Sequence, residues 1–257
     1  MSPNQPRSYR AKSRYASRLR SKRTALFLVL LLTGCQAPAE HNAAVAQERS
    51  SEFPKAHRPV AKIVSSRWSD EESRDRLKEA EDVMDRAGVA PGMTVADIGA
   101  GEGYYTIRLA ARVGMKGRVL AEDIVPEVRD SLAERVNRER LDNVSVRLGE
   151  PADPKLPVNS FDRVFMVHMY HEIEEPYEFL WNLRPALKAG GQVIVVDANR
   201  PTEAHGTPPE LLRCEFAAVG YNLVRIEPMP NAGGYFAAFE ARGPRPEPRA
   251  IKGCGSQ

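Results

Sequence analysis

The feature that most constrains the fold is a regular alternation of short apolar runs and amphipathic segments, which begins at Thr94. Near-continuous apolar strands separated by helices are typical of a parallel sheet that helices cover on both faces. The predicted strands are Thr94–Ile98, Arg118–Asp123, Val144–Leu148, Asp162–Val167 and Gln192–Asp197, and the predicted helices between them are Tyr105–Val113, Glu127–Glu139 and Pro176–Leu187.

The pattern changes near the end of the chain. A predicted helix at Pro209–Val219 precedes two strand-like runs, Tyr221–Glu227 and Tyr235–Ala241, and the short Gly-rich connection between the runs favours an antiparallel hairpin. Before the first strand, Ser69 and the acidic residues after it predict the start of a helix that ends at Gly88. The sequence therefore predicts a single doubly wound, Rossmann-like α/β domain. Its seven-stranded sheet is mostly parallel, with an antiparallel last strand.

The turn after the first predicted strand carries glycines at every second position, in the sequence Asp97-Ile98-Gly99-Ala100-Gly101-Glu102-Gly103. In an open parallel sheet, ligands bind beyond the carboxyl ends of the strands, where this turn lies. A dinucleotide-binding turn has the spacing GxGxxG and places a pyrophosphate at a helix N-terminus. Here the spacing is GxGxG, and Asp97 would repel a pyrophosphate but attract an ammonium or sulfonium group. The turn therefore predicts a nucleoside ligand with a positively charged amino-acid tail.

From about Val83 to Ala241, the chain resembles the class I S-adenosylmethionine-dependent methyltransferases. The resemblance rests on this turn, on the stretches SFDRVFMVHMYHE and LRPALKAGGQVIVVD, and on the final hairpin. It implies S-adenosylmethionine as cofactor and transfer of its methyl group to a small-molecule or lipid-like acceptor. The alternative is a non-catalytic module of the same fold that binds a nucleoside or a partner protein.

The resemblance also implies which residues hold the cofactor. The glycines let the backbone approach the methionine part, and Asp97 orients its amino group. An acid at the end of the second strand, Asp123 or else Glu122, binds the ribose hydroxyls. The adenine-binding acid falls on Glu150, although Pro151 follows it where the family commonly donates a backbone N–H that proline lacks. The implied cofactor-binding residues are Asp97, Gly99, Ala100, Gly101, Gly103, Tyr104, Asp123, Ile124, Glu150 and His168.

The stretch HMYHE after the fourth predicted strand carries the candidates for acid–base chemistry. Methyl transfer needs a base only where the acceptor must lose a proton, and the imidazole groups of His168 and His171 are candidates for that role. Alternatively, His168 only packs against the cofactor and His171 caps a loop. No metal site is assigned, because histidines three residues apart on a loop need not converge with Glu172 and Asp197. The candidate substrate contacts are Tyr170, Asp197 and Arg200, and the loop after the fifth strand also carries His205.

The first 34 residues contain eight Lys and Arg residues, no acid, and the apolar run Ala25–Leu32. This run is too short to span a bilayer as a helix but suits a secretory signal. The sequence Leu32-Thr33-Gly34-Cys35 resembles the lipobox of bacterial lipoproteins, which implies cleavage before Cys35 and lipidation of its thiol. A chance cysteine, an uncleaved anchor or a misjudged start site are the alternatives. We therefore expect a lipid-anchored protein of the bacterial envelope that faces the periplasm, with a cytoplasmic protein as the alternative.

Removal of the eight leader charges changes the net charge from +3 to −5, which would repel a phosphate backbone. We therefore expect no nucleic-acid partner. Cys214 and Cys254 could pair outside the cytoplasm or remain as thiols. The predicted parts of the chain are a signal peptide at 1–34, a flexible tether at 35–60, the domain at 61–242 and a disordered tail at 243–257.

Overall fold

The computed structural model describes residues 52–63 and 71–255. Its centre is a seven-stranded sheet with the spatial order β3-β2-β1-β4-β5-β7-β6. Strands β1 to β5 pair in parallel, and β7 pairs antiparallel with both β5 and β6. This confirms the predicted doubly wound α/β fold with an antiparallel last strand. The strands are β1 (Thr94–Ile98), β2 (Arg118–Asp123), β3 (Val144–Leu148), β4 (Phe161–Val167), β5 (Leu187–Asp197), β6 (Tyr221–Met229) and β7 (Gly234–Ala241).

Helices connect the strands and cover the sheet. Short 3-10 turns follow β4 at Tyr170–Glu172 and β5 at Thr202–Ala204. No helix in the described part of the chain is both long enough and apolar enough to cross a membrane. The α-helices are α1 (Glu71–Arg76), α2 (Glu79–Arg86), α3 (Tyr104–Val113), α4 (Pro126–Arg138), α5 (Pro176–Leu183) and α6 (Pro209–Ala218).

The middle parts of the central strands are mostly apolar because they are buried on both faces. Successive side chains of a strand point to opposite faces of the sheet. In β5, Val193 and Val195 pack into one hydrophobic layer, whereas Ile194 and Val196 pack into the other. Helices α5 and α6 cover the first layer, and α2 and α3 cover the second. The spatial order of the strands reverses between β1 and β4, so a crevice opens at their carboxyl ends.

Two predicted helices differ from those in the structure. The helix predicted to end at Gly88 is divided into α1 and α2, and Lys78 between them has a left-handed backbone with φ of 53°. Helix α5 ends at Leu183, four residues before its predicted end, and a 3-10 turn follows at Arg184–Ala186. Pro185 lies within this turn and has no N–H for a further α-helical hydrogen bond.

The segment before the domain packs against it. Residues 52–60 belong to the predicted tether, but Phe53 is buried and meets the ring of Trp181 edge-on at 5.6 Å. Arg58 Nε donates a hydrogen bond of 2.8 Å to Glu215 Oε1 in a buried ion pair. These long-range contacts override the polar composition from which a flexible tether was predicted. The predicted signal peptide, Cys35 and the tether before residue 52 lie outside the described residues.

The C-terminal segment predicted to be disordered is also packed on the domain. Ile251 and Cys254 are buried, and Cys254 forms a disulfide bond with Cys214 of α6. The backbone N–H of Cys254 donates a 2.7 Å hydrogen bond to the hydroxyl of Tyr177. The content of Pro and Gly led to the prediction of disorder, but the covalent link and the buried side chains fix the segment.

Candidate cofactor and active site

A cavity opens at the carboxyl ends of β1, β2 and β4, where the strand order reverses. The glycine-rich turn after β1 forms one wall and exposes its backbone. Gly99 has φ of +63°, and a Cβ atom there would lie 3.0 Å from Met169 Cγ. Glycine therefore lets the turn pass close to the opposite wall. That part of the cavity is apolar and is formed by Ile98, Val167, Met169, Ile173 and Phe179.

Asp123 lies on the cavity wall at the end of β2 and joins two turns. Its Oδ2 accepts a 3.0 Å hydrogen bond from the backbone N–H of Gly101, and its Oδ1 accepts one from the N–H of Val125 at 3.0 Å. The side chain is thereby fixed between the glycine-rich turn and the turn after β2. A carboxylate held in this way can accept hydrogen bonds from the hydroxyl groups of a ribose.

Glu122 also lies on the cavity wall and is only 1% exposed. A side chain at Gly149 would overlap its carboxyl group, so Gly149 makes room for this acid. Burial, together with the charges of Asp123 and Asp97, raises the pKa of Glu122 to about 8, although a hydrogen bond from the backbone of Gly99 opposes the rise. Glu122 is therefore largely neutral at pH 7 in the protein without ligand.

Asp97 is buried behind the glycine-rich turn and does not line the cavity. Its Oδ2 accepts a 2.6 Å hydrogen bond from the hydroxyl of Thr106. Burial raises the pKa of Asp97 to about 6, although the hydrogen bond from Thr106 opposes the rise. The structure thus places Asp97 behind the turn and not on the wall that a ligand would contact.

Two other predicted cofactor residues do not line the cavity. The side chain of Glu150 is 64% exposed and pairs with Lys155 at 3.1 Å, so it turns towards solvent, whereas Pro151 does line the cavity. Gly103 lies beside Leu132, where a Cβ atom would clash at 2.5 Å, so it allows close packing of the helix. The predicted cofactor residues on the cavity wall are Gly99, Ala100, Gly101, Tyr104, Asp123, Ile124 and His168.

His168 forms a carboxylate–imidazole pair on the cavity wall. Its Nε2 lies 3.5 Å from Oε1 of Glu79, which begins α2. Burial opposes ionisation of Glu79, but hydrogen bonds from His168 and Arg74 outweigh it and lower the pKa of Glu79 to about 2. The hydroxyl of Tyr105 donates a further 2.9 Å hydrogen bond to Glu79. The pair therefore places a permanent negative charge beside the imidazole.

Sequence reasoning did not identify Glu79, the partner of His168. It also did not identify Arg74 and Glu71, which line the cavity. All three lie in the helices before β1, outside the motifs that follow strand ends. Acidic and basic residues near the start and end of a helix are usually solvated or complement the helix dipole. The sequence carries no local signal for them, because the packing of α1 and α2 against α3 brings Glu71 and Arg74 to the cavity and Glu79 to His168.

The second candidate base, His171, and the three candidate substrate residues lie away from the cavity wall. His171 is fully buried, and its Nδ1 lies 3.0 Å from Oδ1 of Asp197. Tyr170 is also fully buried and donates a 2.8 Å hydrogen bond to Glu215, while Arg200 is exposed. Of the two histidines, the structure thus brings only His168 to the cavity.

The fold and the site define a Rossmann-like, nucleoside-binding α/β protein, and comparisons with known proteins specify the class further. Residues 96–195 match a family model described as a methyltransferase domain. The chain is 30% identical over 164 residues to a ubiquinone/menaquinone biosynthesis C-methyltransferase of Hydrogenovibrio crunogenus, covering 62% of this chain and 58% of that protein. It is 26% identical over 171 residues to an arsenite methyltransferase of Halobacterium salinarum, covering 60% of this chain and 44% of that protein.

A solved structure supports the same class. A SAM-dependent methyltransferase from Aquifex aeolicus has a TM-score of 0.57 and 27% sequence identity, covering 66% of this chain and 97% of that one. The chain spans about half the length of the curated relatives it matches. Residues 96–195 therefore match a methyltransferase domain, and the chain has the Rossmann-like fold of the class I enzymes. Its cofactor is S-adenosylmethionine, and the bare backbone and carboxyl groups around the cavity fit that cationic nucleoside.

The raised pKa of Glu122 predicts a pH-dependent loss of stability in the protein without ligand. The folded-state pKa of about 8 exceeds the usual value of 4.5 for a glutamate side chain, so the neutral acid favours folding at low pH. This contribution is lost as the pH rises from 4.5 through about 8. The Glu122→Gln variant has no ionisable group at this position. Its free energy of unfolding, relative to that of the wild type, should therefore increase by roughly 3–5 kcal/mol between pH 4 and pH 9.

Denaturant unfolding at several pH values measures this difference. A pH-independent change in stability caused by the substitution itself does not affect the comparison. Glu150→Gln is the matched control, because the Glu150 side chain is largely exposed and its removal should give no such pH-dependent gain. Parallel pH profiles for Glu122→Gln and the wild type would show that Glu122 ionises normally in the folded protein.

Proposed function

We propose that this protein is an S-adenosylmethionine-dependent methyltransferase that acts on a small-molecule or lipid-like acceptor. The observation that carries the proposal is His168, which lies on the wall of the cavity with Asp123 and the glycine-rich turn and is paired with the buried Glu79. A carboxylate-supported imidazole beside a cofactor site is an arrangement suited to proton abstraction. It favours an enzyme over a module that only binds a nucleoside.

S-adenosylmethionine, when bound, supplies a methyl group on a positively charged sulfur. The glycine-rich turn and Asp123 would hold and orient it, and alignment of the reacting atoms provides much of the rate. His168 would take the proton from a hydroxyl or amine of the acceptor. The ionised Glu79, whose Oε1 lies 3.5 Å from Nε2, would stabilise the imidazolium that forms.

The proposed acceptor class is quinone-like or phenolic. The apolar wall formed by Val167, Met169, Ile173 and Phe179 suits a flat, apolar molecule. One relative is named a ubiquinone/menaquinone biosynthesis C-methyltransferase, and another is named a demethylmenaquinone methyltransferase. A phenolic hydroxyl also has the acidic proton that the His168 pair could accept.

Calorimetry with S-adenosylmethionine, its demethylated product and NAD tests cofactor binding. The first two should bind and NAD should not. Asp123→Ala should weaken binding of S-adenosylmethionine by about 1.5–3 kcal/mol, the range for lost charge-assisted hydrogen bonds. Glu150→Ala should leave the affinity unchanged, because its side chain turns to solvent. Absence of binding in the wild type would reject the proposed function, and an equal loss in both variants would reject the assigned roles of the two acids.

His168→Gln tests the proposed base. With a demethylated quinol as acceptor, we expect kcat to fall about 10²-fold or more, since general bases contribute 10²–10⁴-fold. The affinity for S-adenosylmethionine should change little, because the substitution removes basicity and keeps the size of the side chain. His57→Ala removes an exposed histidine outside the cavity and serves as the control. Equal rates of His168→Gln and wild type would exclude His168 as the base.

We further propose that the protein is exported and anchored by lipids on Cys35 in the bacterial envelope, facing the periplasm. The basic and apolar leader and the lipobox-like sequence support this location. The disulfide bond between Cys214 and Cys254 also supports it, because disulfide bonds persist in oxidising compartments and are rare in the cytosol. An anchored domain would meet acceptors in or near the membrane.

Expression of the full gene and of Cys35→Ser in a bacterium tests this location. The wild type should be found in the membrane fraction with a lipidated N-terminal Cys35, and the variant should lose the lipid. Trapping of free thiols should show Cys214 and Cys254 oxidised in the exported protein and reduced in a version that lacks residues 1–34. Recovery of an intact Met1 terminus in the soluble cytoplasm with both thiols free would reject the proposal.

A further inference from the structure

A cluster of three metal-ligating side chains lies next to the cofactor cavity. His171 and Glu172 belong to the 3-10 turn after β4, and His205 follows the 3-10 turn after β5. One ligand atom from each residue lies within 4.8 Å of the other two. Since β4 and β5 are parallel neighbours, their carboxyl ends bring the two turns together.

The ring of His171 is held in one orientation by a buried carboxylate. Asp197 at the end of β5 lies 3.0 Å from His171 Nδ1, and both side chains are almost fully buried. Asp197 is itself fixed by the hydroxyl of Thr207 at 2.7 Å and by the backbone N–H of Ala198 at 2.8 Å. With Nδ1 bonded to the carboxylate, Nε2 faces Glu172, whose Oε1 lies 4.0 Å away. Metal-ligating histidines are characteristically oriented by a carboxylate in this way.

We propose that His171, Glu172 and His205 bind a divalent transition-metal ion of the zinc class, with Asp197 as the residue that orients His171. Two imidazole nitrogens and one carboxylate oxygen suit zinc and its neighbours better than magnesium or calcium, which prefer oxygen ligands. A tetrahedral zinc ion with bonds of about 2.0–2.2 Å holds its ligand atoms roughly 3.3–3.6 Å apart. Glu172 and His205 are only partly buried and can close the remaining distance by side-chain rotation.

The proposed ion would adjoin the methyl-transfer site, because Glu172 lines the cofactor cavity as well. Three protein ligands leave at least one coordination position for water or for an oxygen atom of an acceptor. The cluster contains neither His168 nor any residue that holds the glycine-rich turn. The metal site therefore goes beyond the proposed methyl transfer and does not depend on it.

The test uses the full chain after treatment with EDTA and dialysis, titrated with Zn²⁺ and separately with Mg²⁺ by calorimetry. Wild type should bind one equivalent of Zn²⁺ more than His205→Ala does, and neither protein should bind Mg²⁺ at this site. His57→Ala, which removes an exposed histidine outside the cluster, should bind zinc as the wild type does. Co²⁺ should give the visible absorption of a coordinated ion in wild type and lose it in His205→Ala.

Equal zinc binding by wild type and His205→Ala would overturn the proposal, as would a preference for Mg²⁺ or the absence of metal binding by wild type. Thermal unfolding of His205→Ala without metal shows whether the variant is folded. Titration with S-adenosylmethionine separates this proposal from the proposed function. Cofactor binding without zinc binding rejects only the metal site, whereas zinc binding without cofactor binding rejects only the methyltransferase.

Discussion

The carboxyl ends of β1, β2, β4 and β5 meet along one edge of the sheet, and the polar groups of the site are attached to that edge. Burial of both faces of the sheet leaves the strand ends as the place where polar side chains and turns can reach a ligand. Because the strand order reverses between β1 and β4, the turns that follow these two strands are separated, and the cavity opens between them. The positions of the glycine-rich turn, His168 and the His171 cluster all follow from this arrangement.

The same edge crowds three carboxyl groups, Asp97, Glu122 and Asp123, into a poorly hydrated space. Burial opposes the ionisation of Asp97 and Glu122, and the neighbouring negative charges oppose it further, so that the pKa of Asp97 is raised to about 6 and that of Glu122 to about 8. A cationic ligand would relieve this repulsion, so its binding should be coupled to release of a proton. An anionic pyrophosphate would increase the repulsion, which explains why this turn suits a sulfonium compound better than a dinucleotide.

Much of the fold could be predicted from the sequence because the signals are local. Strands buried on both faces produce continuous apolar runs, and the spacing of Gly99, Gly101 and Gly103 marks the turn after β1. The exact ends of elements depend on smaller effects, such as Pro185, which ends α5 early. The packed segments around Arg58 and Cys254 were missed because their partners are distant along the chain: Glu215 lies 157 residues from Arg58.

The site was predicted less completely for a similar reason. Residues that follow a strand end could be located, but their side-chain directions could not. His168 has φ of 56° and is on the cavity wall, whereas His171, three residues later, is in a 3-10 turn and points to Asp197. Glu79 became visible only through the packing of α2, and Glu150 turned to Lys155 because the turn after β3 is open to solvent.

The segments before and after the domain both pack beside α5 and α6, and this arrangement has a mechanical consequence. Glu52 pairs with Arg249 at 2.7 Å, Phe53 packs on Trp181, and the disulfide bond locks the C-terminal segment beside them. If lipids on Cys35 hold the chain at the membrane, as proposed, a pull on the N-terminus reaches Glu52 and Phe53 before the rest of the domain. The ion pair of Glu52 with Arg249, the packing of Phe53 on Trp181 and the disulfide bond would carry such a force. The force would therefore act on these contacts before it reached the glycine-rich turn.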